Sequence, residues 1–368
     1  MVCVLALGDS SALAGRYEGV ASCAGSTCHG RIEGDGKVVR QDELMYWQEP
    51  SSRGGAHSRA HAVLDTPRGN AITASLGLGP AGSAGACLGC HATPAGERGD
   101  RFQISDGVGC ESCHGASSGW LASHYAVGAT HATNVANGLI PLENPKARAN
   151  VCLDCHFGSS KPGQFVTHAM MAAGHPRVSF ELDLFSSLQQ HWNEDADYAQ
   201  RKGKTDSVRM WAVGQAEAVR RQTSLFANAT FGNEGLFPQL YFYDCHSCHR
   251  PIDDNPARKR TFEPNPARPI PFGNPPFNDE NMIMLSAVAQ VLAPAQAARY
   301  DAAARGFHAA DTLLNAMVRE GRVTVGAAAG IRANINLAYG AVETPTSYNP
   351  AAFRTSLGAA ARSIEALR

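Results

Sequence analysis

The sequence has little excess charge, few aromatic side chains and no long apolar run. Its 32 Lys and Arg balance 33 Asp and Glu, which leaves a formal net charge of −1. This balance gives no basic surface for nucleic acid or anionic lipid. Aromatic residues make up 7% of the 368 residues, and no apolar stretch reaches the roughly 20 residues of a membrane-spanning helix. Strand-like alternation is also missing, so the sequence predicts a mainly α-helical fold.

Cysteine, by contrast, is frequent and regularly placed. Ten of the eleven cysteines form pairs, and His follows the second cysteine of every pair. Four pairs have the spacing Cys-x-x-Cys-His, and a wider motif with four intervening residues precedes them. In chain order the motifs are Cys23–Cys28–His29, Cys87–Cys90–His91, Cys110–Cys113–His114, Cys152–Cys155–His156 and Cys245–Cys248–His249.

Cys-x-x-Cys-His is the attachment signature of c-type haem. The two thiols add to the two vinyl groups on one edge of the porphyrin, and the adjacent imidazole becomes the proximal ligand of the iron. A wider loop between the cysteines can span the same vinyl carbons. The five motifs therefore predict five covalently bound haem c groups, with His29, His91, His114, His156 and His249 as proximal ligands.

Zinc sites, thioredoxin-like redox pairs and disulfides also use paired cysteines. None of these alternatives requires His directly after every second cysteine. The remaining cysteine, Cys3, lies in an apolar N-terminal stretch with the cleavage-like sequence Ala12-Leu13-Ala14. We interpret residues 1–14 as the remnant of a signal peptide, the alternative being an ordinary irregular terminus.

Nine further histidines are available as distal ligands, which is enough to saturate all five irons. The leading candidates are His57, His124, His168 and His175, with His131 as the fifth. His61 lies one helical turn from His57 and could support it. His246 lies inside the fifth motif and is too constrained to reach another iron, whereas His191 and His308 are expected at the surface. Met170 and Met171 are interpreted as packing residues.

All five motifs lie before residue 250, and the composition then changes. Eight prolines between Pro251 and Pro276 predict an extended connection. Helical periodicity is expected at 176–191 and 207–229, and Ala-rich segments predict helices at 281–293, 295–320, 325–343 and 349–367. The domains are thus a signal remnant (1–14), a pentahaem domain (15–250), a Pro-rich linker (251–280) and a C-terminal helical domain (281–368).

The order of the motifs and their flanking residues resembles the cytochrome c-554 family of multihaem cytochromes. The segments that carry the resemblance lie between residues 17 and 250: Tyr17-Glu18-Gly19, Trp47, AHSRAH with His57, GVGCESCHG with Trp120 and His124, VCLDCHFGS, HAMMAAGHPRVSFEL and LYFYDCHSCH. The resemblance implies a mainly α-helical fold with closely packed haems and periplasmic electron transfer. It also implies that His57, His124, His168 and His175 are distal ligands. A fifth motif, the wide first motif and the C-terminal extension depart from the family pattern.

The sequence therefore predicts an exported electron-transfer protein, periplasmic or extracellular, that exchanges electrons with a redox donor and a redox acceptor. Two alternatives stay open. In one, a five-coordinate haem acts as an oxidoreductase on a small nitrogen or sulfur species, with His61 or His131 assisting. In the other, the chain is a subunit of an extracellular conductive polymer. The first alternative has no sequence signature, and the number of histidines argues against the second, because the chain can saturate all of its own irons.

Overall fold

The computed structural model describes most of the chain up to residue 245 and part of the remainder. The described ranges are 15–34, 39–94, 96–226, 228, 233–234, 237–245, 248–249, 277–292, 294–302 and 304. The signal remnant, nearly all of the linker and most of the C-terminal helices predicted above lie outside these ranges. So do Cys3, His246 and His308.

The described residues form two compact units, each assembled from separate stretches of sequence. Unit 1 comprises 15–70, 78–151 and 188–204, and unit 2 comprises 71–77, 152–187 and the described residues from 205 onward. The first three Cys-His motifs belong to unit 1 and the last two to unit 2. Each unit therefore has its own set of candidate haem sites.

Secondary structure in both units is mainly α-helical, which confirms the predicted fold class. The α-helices are α1 (Glu43–Gln48), α2 (Pro67–Ser75), α3 (Gly85–His91), α4 (Cys110–His114), α5 (Leu121–His124), α6 (His131–Ala136), α7 (Pro145–His156), α8 (His168–Ala172), α9 (Leu182–Leu188), α10 (Ala196–Lys202), α11 (Ser207–Phe226) and α12 (Glu280–Leu292). Short 3₁₀ segments lie between several of them, and β1 (Asn233–Glu234) pairs antiparallel with β2 (Phe237–Pro238). No helix in the described ranges has the length and apolar character needed to cross a bilayer.

Side-chain caps fix where several of the short helices begin. Thr130 accepts a hydrogen bond from the amide of Thr133 at the start of α6, and Thr167 accepts one from Met170 at the start of α8. Such caps satisfy amide groups that have no partner within the helix. Each cap places a histidine, His131 or His168, as the first residue of its helix.

Unit 2 has a core of apolar side chains on α11 and α12. Ala212, Val213, Ala216 and Val219 recur at helical spacing on α11 and are fully buried. They lie on the longest described helix, which packs against α12. Helix α12 and a further helical stretch at 294–302 agree with the helices predicted from 281 and 295 onward as far as the described residues extend.

Unit 1 buries little apolar side-chain surface by comparison. Its buried apolar side chains in the described ranges are Val20, Leu64, Ala81, Ala84, Ala92, Trp120 and Ala149. Four of these seven are alanines, each of which contributes only a methyl group to the hydrophobic effect. The side chains alone therefore give unit 1 a small core for a stretch of this length.

A buried carboxylate connects the start of unit 1 to the third motif. Glu111, which is 4% exposed, lies between Cys110 and Cys113 on α4. Its two oxygens accept hydrogen bonds from the amides of Glu18, Gly19 and Ser117 at 2.7–2.9 Å. Because each amide would otherwise be buried without a partner, this carboxylate fixes the extended entry to the first motif.

We expect Glu111→Ala to lower the free energy of unfolding of the holoprotein by about 3 kcal/mol, since it leaves buried amides without acceptors. Urea unfolding followed by circular dichroism measures this change. Glu33→Ala, at an exposed position of the same unit, serves as the control and should change the free energy by less than about 0.5 kcal/mol. Equal effects of the two substitutions would contradict the role assigned to Glu111.

Candidate haem-binding sites

Three of the four tight motifs end an α-helix. His91, His114 and His156 are the last residues of α3, α4 and α7, and the two cysteines of each motif precede them on the same helix. Residues i, i+3 and i+4 of a helix share one face, so the thiols and the imidazole point to the same side. None of the ten motif cysteines forms a disulfide.

The wide first motif connects its histidine to its first cysteine by a backbone hydrogen bond, as the fifth motif does, although its residues form no α-helix. In the fifth motif the amide of His249 donates to the carbonyl of Cys245 at 2.7 Å, and in the first motif the amide of His29 donates to the carbonyl of Cys23 at 3.2 Å. The extra residues form a turn in which the amide of Cys28 donates to the carbonyl of Gly25 at 2.8 Å. The histidine is thus connected to the first cysteine in both motifs.

Three of the histidines predicted as proximal ligands each lie near a second histidine at nearly the same distance. The ring centres of His29 and His124 are 6.1 Å apart, those of His114 and His191 are 6.2 Å apart, and those of His168 and His249 are 6.1 Å apart. The first two pairs lie in unit 1 and the third lies in unit 2. The interplanar angles differ, at 19°, 80° and 43° in the same order.

This spacing matches two imidazoles on opposite faces of one metal ion. A metal–nitrogen bond is about 2 Å long and a ring nitrogen lies about 1 Å from the ring centre, so the two centres are about 6 Å apart. Ordinary aromatic pairs have ring centres about 4.5–7 Å apart, so the spacing is compatible with a shared iron and with a simple ring contact. The residues present therefore fit an iron held between each pair.

Hydrogen bonds hold many of these rings by Nδ1. At His124 the side-chain amide nitrogen of Asn134 donates to Nδ1 at 3.5 Å. The remaining rings present Nδ1 to an oxygen: Nδ1 of His29 meets Oε2 of Glu43 at 3.0 Å, and Nδ1 of His191 lies 2.7 Å from the carbonyl oxygen of Gln189. The other rings held in this way are His57 by Gln189 Oε1 (3.1 Å), His91 by the carbonyl of Ala60 (2.7 Å) and His175 by the carbonyl of Pro176 (2.7 Å). An anchored Nδ1 orients the ring and directs Nε2 toward a metal.

Two other histidines are held the opposite way round. Nε2 of His131 lies 2.6 Å from Oε1 of Glu143, and Nε2 of His61 lies 3.2 Å from the carbonyl oxygen of Gly82. Lys202 approaches the other oxygen of Glu143 at 3.6 Å. In His131 and His61, therefore, Nε2 is bonded to protein. Nε2 is the nitrogen that stays available for a metal when a ring is held by Nδ1.

The four leading distal candidates from the sequence are divided between the units. His57 and His124 lie in unit 1, and His168 and His175 lie in unit 2. The structure brings His124 and His168 to proximal rings at the spacing given above. It places His131 beside Glu143. Met170 lies in α8 shortly after His168, and its amide bonds the capping Thr167.

Burial controls the protonation of four rings in unit 1. Burial lowers the pKa of His57, His124 and His191, and it lowers the pKa of His114 to about 3, with His191 close by adding to the effect. These rings are therefore neutral at physiological pH, which is the form that binds a metal.

His29 differs from these four rings because a carboxylate faces it. The hydrogen bond to Glu43 raises the pKa of His29. Burial raises the pKa of Glu43 itself, but the bond with His29 and backbone amides outweighs burial, and the pKa is lowered overall. An ionised carboxylate therefore lies beside a predicted proximal ligand.

The first and third motifs lie side by side. The thiols of Cys23 and Cys110 shift each other's pKa, and His29 influences the pKa of both His114 and His124. Two haems attached at these motifs would have their thioether edges next to each other. Trp120 also lies in this region, and its ring meets that of His124 edge-on at 5.6 Å.

The sequence did not identify two residues that the structure places at these sites. His191 was expected at the surface, because nothing in Gln189-Gln190-His191-Trp192 indicates a ligand. Glu43 was not singled out, since a lone acidic residue at the start of a short helix is common. Only the fold brings His191 next to the ring of His114, which lies far from it in the sequence.

Residues 23–115 match the model of the family cytochrome c554 and c-prime. The matched segment contains the first three motifs and His57, and the resemblance predicted from the motif order is confirmed over this part of the chain. No curated protein and no solved structure matches the chain.

The geometry of the wide motif predicts that it attaches a haem as the tight motifs do. We expect the double substitution Cys23→Ala and Cys28→Ala to remove one haem and leave the other four, because both thioether bonds are lost together. Intact-protein mass spectrometry and the haem absorbance per chain measure this loss. Ser26→Ala, within the same turn, should keep every haem; an unchanged haem count in the double variant would show that the first motif binds none.

Proposed function

Because residues 23–115 match the cytochrome c554 and c-prime family, we propose that the whole chain is an electron-transfer protein with five covalently attached haem c groups. Each haem would be bound by the two cysteines of one motif and by its proximal histidine. When bound, the haem irons supply reversible one-electron redox chemistry.

The observation that carries this proposal is the repeated ring spacing of 6.1–6.2 Å between a motif histidine and a second histidine. An iron held between two imidazoles has no open coordination position for a substrate. It changes oxidation state with little rearrangement, which suits electron transfer. The same spacing in both units favours a carrier over an enzyme.

The distal ligands that we propose differ from the sequence prediction at one position. His124 would serve the haem of His29, His191 that of His114 and His168 that of His249. His57 in unit 1 and His175 in unit 2 are then assigned to the remaining motifs of their own units, because each is held by Nδ1. His191 replaces His131 as the fifth ligand, since Nε2 of His131 is bonded to Glu143.

The haems would also complete the interior of unit 1. The buried apolar side chains described there are few and small, and a porphyrin contributes a large apolar area when it is packed against them. Covalent haem attachment takes place outside the cytoplasm, so we propose an exported protein, periplasmic or extracellular. Its partners would be a redox donor protein and a redox acceptor protein.

The first test is electron paramagnetic resonance of the oxidised holoprotein, with carbon monoxide binding to the reduced form. Five low-spin irons per chain and no carbon monoxide binding are the expected result, because every iron has two protein ligands. A high-spin signal from about one iron in five, together with carbon monoxide binding, would instead support an oxidoreductase with an open haem.

A pair of matched variants tests the assignment of His191 against His131. We expect His191→Ala to convert one low-spin iron in five to a high-spin iron that binds one equivalent of carbon monoxide, since it removes one distal nitrogen. His131→Ala should leave all five irons low-spin. The reverse outcome would restore His131 as the fifth distal ligand and would reject the assignment of His191 from the distance between ring centres.

A further inference from the structure

The first haem site has a hydrogen bond behind its proximal ligand that sets it apart from the second site. Oε2 of Glu43 lies 3.0 Å from Nδ1 of the proximal His29. The corresponding nitrogen of His91 meets a peptide carbonyl, that of Ala60, at 2.7 Å. A carboxylate is a stronger acceptor than a carbonyl because it carries a full negative charge.

The position of Glu43 is fixed by the backbone as well as by its side chain. Glu43 is the first residue of α1, and the amide of the next residue, Leu44, donates to the carbonyl of His29 at 3.0 Å. The amide of Arg31 donates in turn to the carbonyl of Gln41 at 2.8 Å. The start of α1 and the loop of the first motif therefore hold each other in place.

The carboxylate is also shielded from solvent. The side chain of Glu43 is 17% exposed, so water and salt screen its charge less than they would at the surface. Its charge also acts on His191 at the third site, but no hydrogen bond joins those two side chains. The carboxylate therefore acts most strongly on His29, the ring that it contacts.

We propose that Glu43 is a potential-setting residue that gives the first haem site a lower reduction potential than the adjacent third site. The inference rests on the proposed function, because it requires an iron bound by His29. The carboxylate accepts a hydrogen bond from Nδ1–H of His29, and this bond makes the imidazole a stronger electron donor to the iron. A stronger donor and a nearby negative charge both favour the oxidised iron.

The size of the effect depends on the strength of such bonds. Partners that hydrogen-bond the ligands of a metal alter metal-site equilibria by about tenfold or more. We therefore expect loss of the carboxylate to shift the one-electron equilibrium of this site about tenfold toward reduction, which corresponds to about 59 mV. The shift should be largest at the first of the five sites, because Glu43 is hydrogen-bonded to the proximal ligand of that site.

Redox titration of the full-length holoprotein, followed by electron paramagnetic resonance, tests this inference. The ring planes are 19° apart at the first site and 80° apart at the third. Nearly parallel and nearly perpendicular imidazoles give different low-spin line shapes, so the two sites can be followed separately. Glu43→Gln should shift the equilibrium of the site with nearly parallel rings about tenfold toward reduction, and Glu43→Asp, which keeps the charge, should shift it less.

Glu143→Gln is the matched control. Glu143 is also a partly buried glutamate of unit 1 bonded to a histidine, but that histidine is His131, which we do not assign to an iron. This variant should leave all five potentials unchanged. The inference is overturned if Glu43→Gln moves no potential, or if the site that moves starts above the third site in the unsubstituted protein.

The same samples separate this inference from the proposed function. Haem content, measured by mass on every variant, and reversible reduction of the unsubstituted protein test whether five haems are present and redox-active. If those results fail, the proposed function fails before Glu43 is in question. If they succeed and Glu43→Gln behaves as Glu143→Gln does, only the role of Glu43 is rejected.

Discussion

In the function that we propose, the distance between two imidazole nitrogens on opposite faces of an iron is the constraint on which the other features of this protein depend. A ring that is slightly too far or wrongly rotated cannot form a bond to the metal, whereas an apolar contact tolerates such errors. The chain therefore has to position rings, and it does so with hydrogen bonds to Nδ1. His29, His57 and His191 show the arrangement with three different partners: a carboxylate, a side-chain amide oxygen and a backbone carbonyl.

Short helices suit this task better than long ones. A helix of five to seven residues, such as α3 or α4, is long enough to place two thiols and an imidazole on one face and then ends at the histidine. Isolated helices of this length are unstable on their own, so they depend on caps, on the buried Glu111 and on the groups that they pack against. Unit 2 adds a longer helix, α11, whose buried alanines and valines provide a larger side-chain core than the described residues of unit 1 do.

Much of the local chemistry was predictable from the sequence, and the long-range pairing was not. The motifs, the mainly α-helical fold and the helix predicted at 207–229, observed at Ser207–Phe226, can be inferred from spacing and periodicity, which are properties of neighbouring residues. His124 and His168 were also predicted as candidates and lie near two of the motif histidines. The choice between His131 and His191 depends instead on which nitrogen of each ring the fold engages. That choice rests on the hydrogen bonds to Glu143 and to the carbonyl of Gln189, and no local sequence pattern predicts these bonds.

The wide first motif shows why spacing alone is an incomplete description of a haem site. Two extra residues would shift His29 along a helix by more than half a turn and away from the thiols. The chain avoids this by leaving the helix and forming a turn, in which the amide of His29 still bonds the carbonyl of Cys23. Leaving the helix also brings the loop against the start of α1, where Glu43 meets His29. The departure from the usual spacing and the carboxylate behind the first proximal ligand therefore occur in the same loop, and the wider turn gives this site surroundings that the helical motifs of α3 and α4 do not share.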